Sequence, residues 1–268
     1  MIWSNYRYIT FLLIVFVMVS WAQKSPGGKI IKIMTYNTHH CNPPDKPGVI
    51  DVQAIAAVIK KENPDIVALQ EIDVNTKRDG QINEAAEIAA QTDYPSFYFA
   101  KTIDLEGGSY GIMILSKFPL IDTATHKLPT NETIGGEHRV LATAVVRLPD
   151  GKTITFGCTH LDAEHKENRL LQIREINNIA GKSAYPFLLV GDFNSGEGSK
   201  VIDMLDQSFT RTCTHCKPTL HEEGYADVPI DFIACKPGSN FTVQSHNVLQ
   251  NINASDHYPV TAVLKLNF

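Results

Sequence analysis

Along this chain, apolar runs repeatedly end on a group that can bind a hard cation or carry a proton. Ile33-Met34-Thr35-Tyr36 ends on Asn37, Ile66-Val67-Ala68-Leu69 on Gln70-Glu71, and Thr155-Phe156-Gly157-Cys158-Thr159 on His160. Leu188-Leu189-Val190-Gly191 leads into Asp192-Phe193-Asn194, and Ser255-Asp256-His257 precedes Tyr258-Pro259-Val260. Short apolar runs bounded by turn residues read as buried strands. On that basis strands are predicted at 29–35, 66–69, 97–100, 111–115, 140–147, 153–158, 187–190, 230–234, 242–249 and 260–266. Apolar residues recur at helical spacing in 49–61 (Val49, Val52, Ile55, Ala56, Ile59) and in 168–179 (Leu171, Ile173, Ile176, Ile179), and 83–90 reads as a shorter helix. Asn63-Pro64-Asp65 stops the first helix, and Pro149-Asp150-Gly151 marks a hairpin turn.

Hairpins and helical crossovers alternate in this order. That excludes a purely parallel nucleotide-binding pattern and predicts an α/β architecture of mixed sheets covered by helices. Ten strands strain a single twisted sheet, so two packed sheets are expected. The stretch from Gly191 to Ser199 is glycine-rich but lacks the Gly-Lys-Ser/Thr of a phosphate-binding P-loop.

Length and charge narrow the picture. The chain has 268 residues, enough for one large domain, with 43% hydrophobic and 20% charged residues. Residues 1–22 read as a signal peptide: Arg7, an apolar stretch from Ile9 to Val19, then Ser20-Trp21-Ala22 as a cleavage site, leaving 23–268 as one domain. An exported, periplasmic or extracellular protein is expected. Losing Arg7 takes the formal charge from −5 to −6, which disfavours a nucleic acid as the partner. Sequons start at Asn131, Asn240 and Asn253; a glycan on Asn253 would crowd Asp256 and His257, which favours a bacterial setting. Among five cysteines, Cys213-Thr214-His215-Cys216 has the spacing of half a zinc site, but no second half follows in sequence. A local disulfide is the favoured reading of that segment, with Cys235 one candidate partner, and Cys158 reads as a buried thiol.

The strand-end groups suit one chemistry. Glu71 and Asp256 offer hard oxygens and Asn37 a neutral one, a set without cysteine that suits Mg²⁺, or Mn²⁺, over Zn²⁺. His160 and His257 can donate to phosphoryl oxygens or move protons. Asp192 and Asn194 can orient a water, and Asp231 can fix a histidine tautomer.

Taken in order from Tyr36-Asn37 to Ser255-Asp256-His257, these motifs resemble the endonuclease/exonuclease/phosphatase superfamily, which includes deoxyribonuclease I, inositol polyphosphate 5-phosphatases and neutral sphingomyelinases. Gly191-Asp192-Phe193-Asn194 followed much later by Ser255-Asp256-His257 is the most specific part. The resemblance implies a four-layer sandwich of two packed mixed β-sheets flanked by helices, and a Mg²⁺-dependent phosphoester hydrolase. It makes Glu71 the principal metal ligand with Asn37 beside it and Asp256 a further metal-proximal carboxylate. It makes His160 and His257 phosphate-facing, Asp231 the partner of His257, and Asp192 with Asn194 the pair positioning water. Arg139 would lie near the phosphate and Tyr110 would line the same cleft. The mechanism expected from the resemblance is one-step attack of water on phosphorus, with His257 the favoured base and Asp192 the orienting group. Fold does not name the substrate. The acidic surface favours a small or lipid-derived phosphoester over DNA or RNA, for which only Lys77-Arg78, Lys101 and the 166–174 segment offer positive charge. A non-catalytic binding protein on the same scaffold is the remaining class, and a complete catalytic set argues against it.

Overall fold

The computed structural model describes residues 29–221 and 228–267, so the expected leader at 1–22 lies outside the described residues. Twelve strands and four α-helices follow one another among them: β1 Lys29–Asn37, α1 Val52–Glu62, β2 Ile66–Val74, α2 Glu84–Thr92, β3 Ser96–Leu105, β4 Gly108–Ser116, β5 Leu120–Lys127, β6 Val140–Arg147, β7 Thr153–His160, α3 Lys166–Gly181, β8 Phe187–Asp192, α4 Lys200–Asp206, β9 Thr210–Arg211, β10 Asp231–Cys235, β11 Phe241–Val248 and β12 Val260–Leu266. Two six-stranded mixed sheets form, in the orders β11-β12-β1-β2-β4-β3 and β5-β6-β7-β8-β10-β9. Each has one parallel pair near its middle, β1 with β2 and β7 with β8.

Strand alternation explains the layering. Ile31 and Ile33 of β1, Ile66 and Ala68 of β2, Leu188 and Val190 of β8, and Phe156 of β7 face the core between the sheets. Met34, Tyr36, Val67 and Leu69 point the other way, onto Ile55 and Ile59 of α1 and Ile88 of α2. Phe187 and Leu189 of β8 meet Ile173 and Ile176 of α3 and Val201 and Leu205 of α4. Central strands that are apolar on both faces are what a sheet covered on both sides requires. The product is the expected sandwich of helices, sheet, sheet and helices. Truncating a fully buried member such as Ile33 to Ala costs about 2–5 kcal/mol.

Helix ends follow local chemistry. Asp51 caps α1 by accepting from the Ala54 N–H, and Lys60 and Lys61 occupy the last turn, where the dipole favours cations. Asn63, in a left-handed conformation, stops the helix. Asn83 and Ser199 cap α2 and α4 in the same manner.

All ten predicted strands are present, and two more join them. The edge strand β5 reads Leu-Ile-Asp-Thr-Ala-Thr-His-Lys and is mostly exposed, so it has no apolar run to announce it. β9 is only two residues long, and α4 only seven. The strand predicted as buried at 97–100 is mixed: Ala100 is buried but Phe97 is 48% exposed, because β3 is the terminal strand of its sheet. Cys213 pairs with Cys216, not with Cys235. Cys235 ends β10 inside the inter-sheet core and remains a buried free thiol, as do Cys158 and Cys41. Among the described residues no helix is long and apolar enough to cross a membrane.

Candidate active site

Strand direction brings the polar run-ends to one edge of the sandwich. β1, β7 and β8 finish there on Asn37, His160 and Asp192, and β2 passes through at Gln70-Glu71, where its parallel pairing with β1 stops. Antiparallel β10 begins there, with Asp231 in register opposite Asp192, and His160 stands opposite Asp192 on the other side. His257 precedes β12, which runs antiparallel to β1, so it too reaches this edge. Ligand sites outside the carboxyl ends of parallel strands are the rule in α/β folds.

Two local distortions aim side chains. The β2–β4 register slips between Leu69 and Ile72, and Glu71 sits in that bulge with φ of +58°. A bulge re-aims the side chain it carries, and here it puts Glu71 in the wall of the cleft. Gly191 has φ of +148°, and a Cβ there would lie 2.0 Å from the Thr159 carbonyl oxygen of β7. Only glycine lets β8 approach β7 this closely immediately before Asp192.

Asp192 is the hub. Its Oδ2 accepts from Asn37 Nδ2 at 3.0 Å and lies 3.5 Å from His160 Nε2 and 3.7 Å from His257 Nε2. Its Oδ1 accepts from the Asn194 N–H at 2.8 Å. Burial, with Asp231 nearby, pushes the Asp192 carboxyl up to about 7. His257 shares its Nδ1 proton with Asp231 Oδ2 at 2.9 Å. Burial opposes charge on His257, but the adjoining Asp231 carboxylate outweighs it and pushes the imidazole up to about 10. His160 behaves oppositely. Burial, then Arg139 and His257, hold it well below the ordinary histidine range.

Arg139 is a buried side chain, 4% exposed, and its Nη1 lies 2.9 Å from His160 Nδ1 and 3.3 Å from Glu137. Tyr110 is buried beside it; burial and Glu71 push its hydroxyl up while Arg139 opposes them. Asn37 donates through Nδ2 to Glu71 Oε1 at 2.9 Å, while its Oδ1 accepts from the His39 N–H. The amide nitrogen, not the oxygen, therefore faces Glu71. Asn194 also bonds the Leu161 carbonyl through its side chain. Asp256 stands to one side, its Oδ1 3.2 Å from Ser255 Oγ and 3.8 Å from His39 Nδ1.

These groups open into a cleft of about 330 Å³ lined by Glu71, Tyr110, Arg139, His160, Asp192, Asn194 and His257. Among the described residues of that lining neither Asn37 nor Asp256 occurs. Arg78 and Glu137 line it too, and sequence reasoning had not placed either in the site. Arg78 is fixed by a two-pronged bond to buried Asp73 and lies over the Tyr110 ring at 5.6 Å. Two hydroxyls brace the network from behind. Ser255 donates to the Asn37 carbonyl and accepts from the His257 N–H. Thr219 accepts from the N–H groups of Ile230 and Asp231. Ser255 belongs to the Ser-Asp-His motif; Thr219 carries no sequence signal.

Known proteins of similar sequence and structure now bear on the site. No curated protein matches this chain. A structure named endonuclease/exonuclease/phosphatase from Beutenbergia cavernae matches with 26% identity and a TM-score of 0.76, over 89% of this chain and 72% of the other. A mannosyl-6-phosphatase from Bacteroides thetaiotaomicron matches with 16% identity and a TM-score of 0.69, over 87% and 99%. The catalytic domain of human Nocturnin, determined with bound sulfate, matches with 17% identity and a TM-score of 0.68, over 88% and 93%. The model of the Endonuclease/Exonuclease/phosphatase family spans residues 34–257, from inside β1 to His257, and the chain belongs to that family of phosphoester hydrolases.

Proposed function

We propose that this protein is an exported, Mg²⁺-dependent hydrolase of small or lipid-derived phosphoesters. One observation carries the reading: a buried carboxylate, Asp192, ringed by Asn37, His160 and His257 where both sheets open into one cleft.

The donor set fits a hard cation. Glu71 is a carboxylate in the cleft wall, steadied by Asn37, and the groups around it are oxygens and nitrogens without a thiol. Glu71 would hold the ion, with Asp256 nearby; Asn37, its oxygen committed to His39, would steady Glu71. The buried trio Asp192, Asp231 and His257 also brings three ligand atoms within 4.8 Å. We read it as a proton network, because His257 Nδ1 is already bonded to Asp231. When bound, Mg²⁺ neutralises charge on the phosphoryl and leaving oxygens.

The chain's own groups divide the remaining work. His257, held charged by Asp231, donates from Nε2 to a phosphoryl oxygen. Asp192, a buried carboxylate near 7, accepts the proton of the attacking water, and Asn194 holds the loop beside it. This exchanges the two roles expected from sequence: an imidazole kept protonated at neutral pH is a donor, and the buried carboxylate is the base. His160 donates from Nε2 to the same phosphoryl group. Proton-transfer and oxyanion-stabilising groups each contribute about 10²-fold or more.

Nucleic acid is the second reading. Three of the cations that would serve it are already engaged: Arg78 by Asp73, Lys101 by Asp104, and Arg169 by the carbonyls of Asp162 and Ala163. The test is turnover of plasmid DNA, RNA, sphingomyelin, inositol phosphates and sugar phosphates by the mature chain with Mg²⁺. Release of phosphate or headgroup with DNA and RNA intact supports the proposal. Cleavage of DNA or RNA as the fastest reaction overturns its substrate half.

A further inference from the structure

Outside the catalytic cleft, the Cys213-Thr214-His215-Cys216 segment has the two-residue cysteine spacing of a zinc knuckle. Sequence offers no second half, but the fold does. The segment leaves β9, the terminal strand of one sheet, and meets β11, the terminal strand of the other. There a ring nitrogen of His246 and the sulfurs of Cys213 and Cys216 all lie within 4.8 Å of one another. We propose that Cys213, Cys216 and His246 form a binding site for a thiophilic divalent cation such as Zn²⁺, closed by the disulfide and opened when that bond is reduced.

Three features support it. The Thr212 hydroxyl engages His246 Nδ1 at 2.8 Å, leaving Nε2 buried with no hydrogen-bond partner. A ligating histidine is characteristically held this way, through its other ring nitrogen. An oxygen lies close by, Glu197 Oε1 at 3.5 Å from Cys216 Sγ, held there by Arg211. The surroundings suit a cation: Arg211, whose Nη1 comes within 3.9 Å of Cys216 Sγ, is bonded to both Asp206 and Glu197, so the cluster is acidic in sum. Tetrahedral zinc with ligand bonds of about 2.0–2.3 Å needs donors roughly 3.5–3.8 Å apart. Once the sulfur–sulfur bond is broken, this is a small displacement for cysteines whose Cα atoms are 5.5 Å apart.

The chemistry balances with a dithiol as reductant. Two electrons pass from the dithiol to the disulfide, leaving the reductant as a disulfide and Cys213 and Cys216 as thiols. Metal binding then displaces one proton from each thiol. Because the ligands come from the edges of both sheets, the bound ion would staple them together.

Co²⁺ serves as the spectroscopic probe, with full-length mature protein, oxidised or reduced by a non-coordinating phosphine. The reduced chain should bind one Co²⁺ with thiolate-to-cobalt charge-transfer bands that Zn²⁺ displaces. The oxidised chain should show none. His246→Ala should weaken binding at least about tenfold, and Cys216→Ser should remove the bands. Zn²⁺ should also raise the Tm of the reduced chain by more than that of the oxidised chain. Absence of the bands when alkylation shows both thiols free overturns the proposal. Undiminished binding by a folded His246→Ala chain overturns the three-ligand site. Neither readout depends on phosphoester turnover.

Discussion

Arg139 and His160 meet with Nη1 2.9 Å from Nδ1, both side chains buried. A guanidinium has only donors, so His160 Nδ1 must be the acceptor and the ring proton must sit on Nε2, the nitrogen that faces Asp192. Arg139 thus chooses the tautomer of His160 and resists its second proton, while Asp231 does the reverse for His257. The two histidines on either side of Asp192 are shifted in opposite directions, His160 downward by burial and Arg139, and His257, against burial, upward by Asp231.

Arg139→Met should therefore move the titration of His160 as well as the rate. The wild-type His160 is held below the ordinary histidine range; without the guanidinium its pKa rises, so its ring NMR signals titrate at higher pH. The rate at neutral pH should fall about 10²-fold. Arg139→Lys, which keeps charge but not the planar fork, should fall between. A His160 titration that stays in place in Arg139→Met contradicts the tautomer argument.

The pairing of His257 with Asp231 should appear in stability. The folded-state pKa of about 10 exceeds the unfolded 6.5, so the folded state binds that proton more tightly. The contribution is full below about 6.5 and is lost as pH rises through about 10. The metal-free chain should show a falling Tm across that window, and Asp231→Asn should flatten the fall. Parallel curves for the two proteins would show that the pair contributes no linkage.

Gly191→Ala tests the backbone under the hub. The substitution places a methyl against the Thr159 carbonyl at a backbone angle L-residues avoid. It should cost at least about 1–3 kcal/mol by denaturant unfolding and, by shifting Asp192, reduce the rate more than stability loss explains. A stable and fully active variant would mean β7 and β8 separate without disturbing Asp192.

Much of this site could be read from the chain because its groups sit at the ends of apolar runs, where strand polarity alone sends them to a common edge. Glu71, His160, Asp192 and His257 announced themselves in that way. Arg78 and Glu137 did not: they lie on connections with no period, and only the folded path brings them to the cleft. Strand β5 was illegible because an exposed edge strand needs no apolar run, and α4 because seven residues carry too little periodicity. A local disulfide in the 213–216 segment was legible but its pairing was not, because sequence distance says nothing about whether the inter-sheet core encloses Cys235. His246 shows the same limit, since its neighbours are on the other sheet.

The central claim is that the Asp192-centred cluster hydrolyses phosphoesters with a cation held by Glu71. The direct measurement is hydrolysis of p-nitrophenyl phosphate and bis-p-nitrophenyl phosphate by the mature chain with Mg²⁺ and with EDTA, beside Glu71→Ala and Asp192→Asn. Turnover that EDTA abolishes and Mg²⁺ restores, and that falls at least about 10²-fold in each variant, is the predicted result. Equal turnover in EDTA, or by either folded variant, would contradict it.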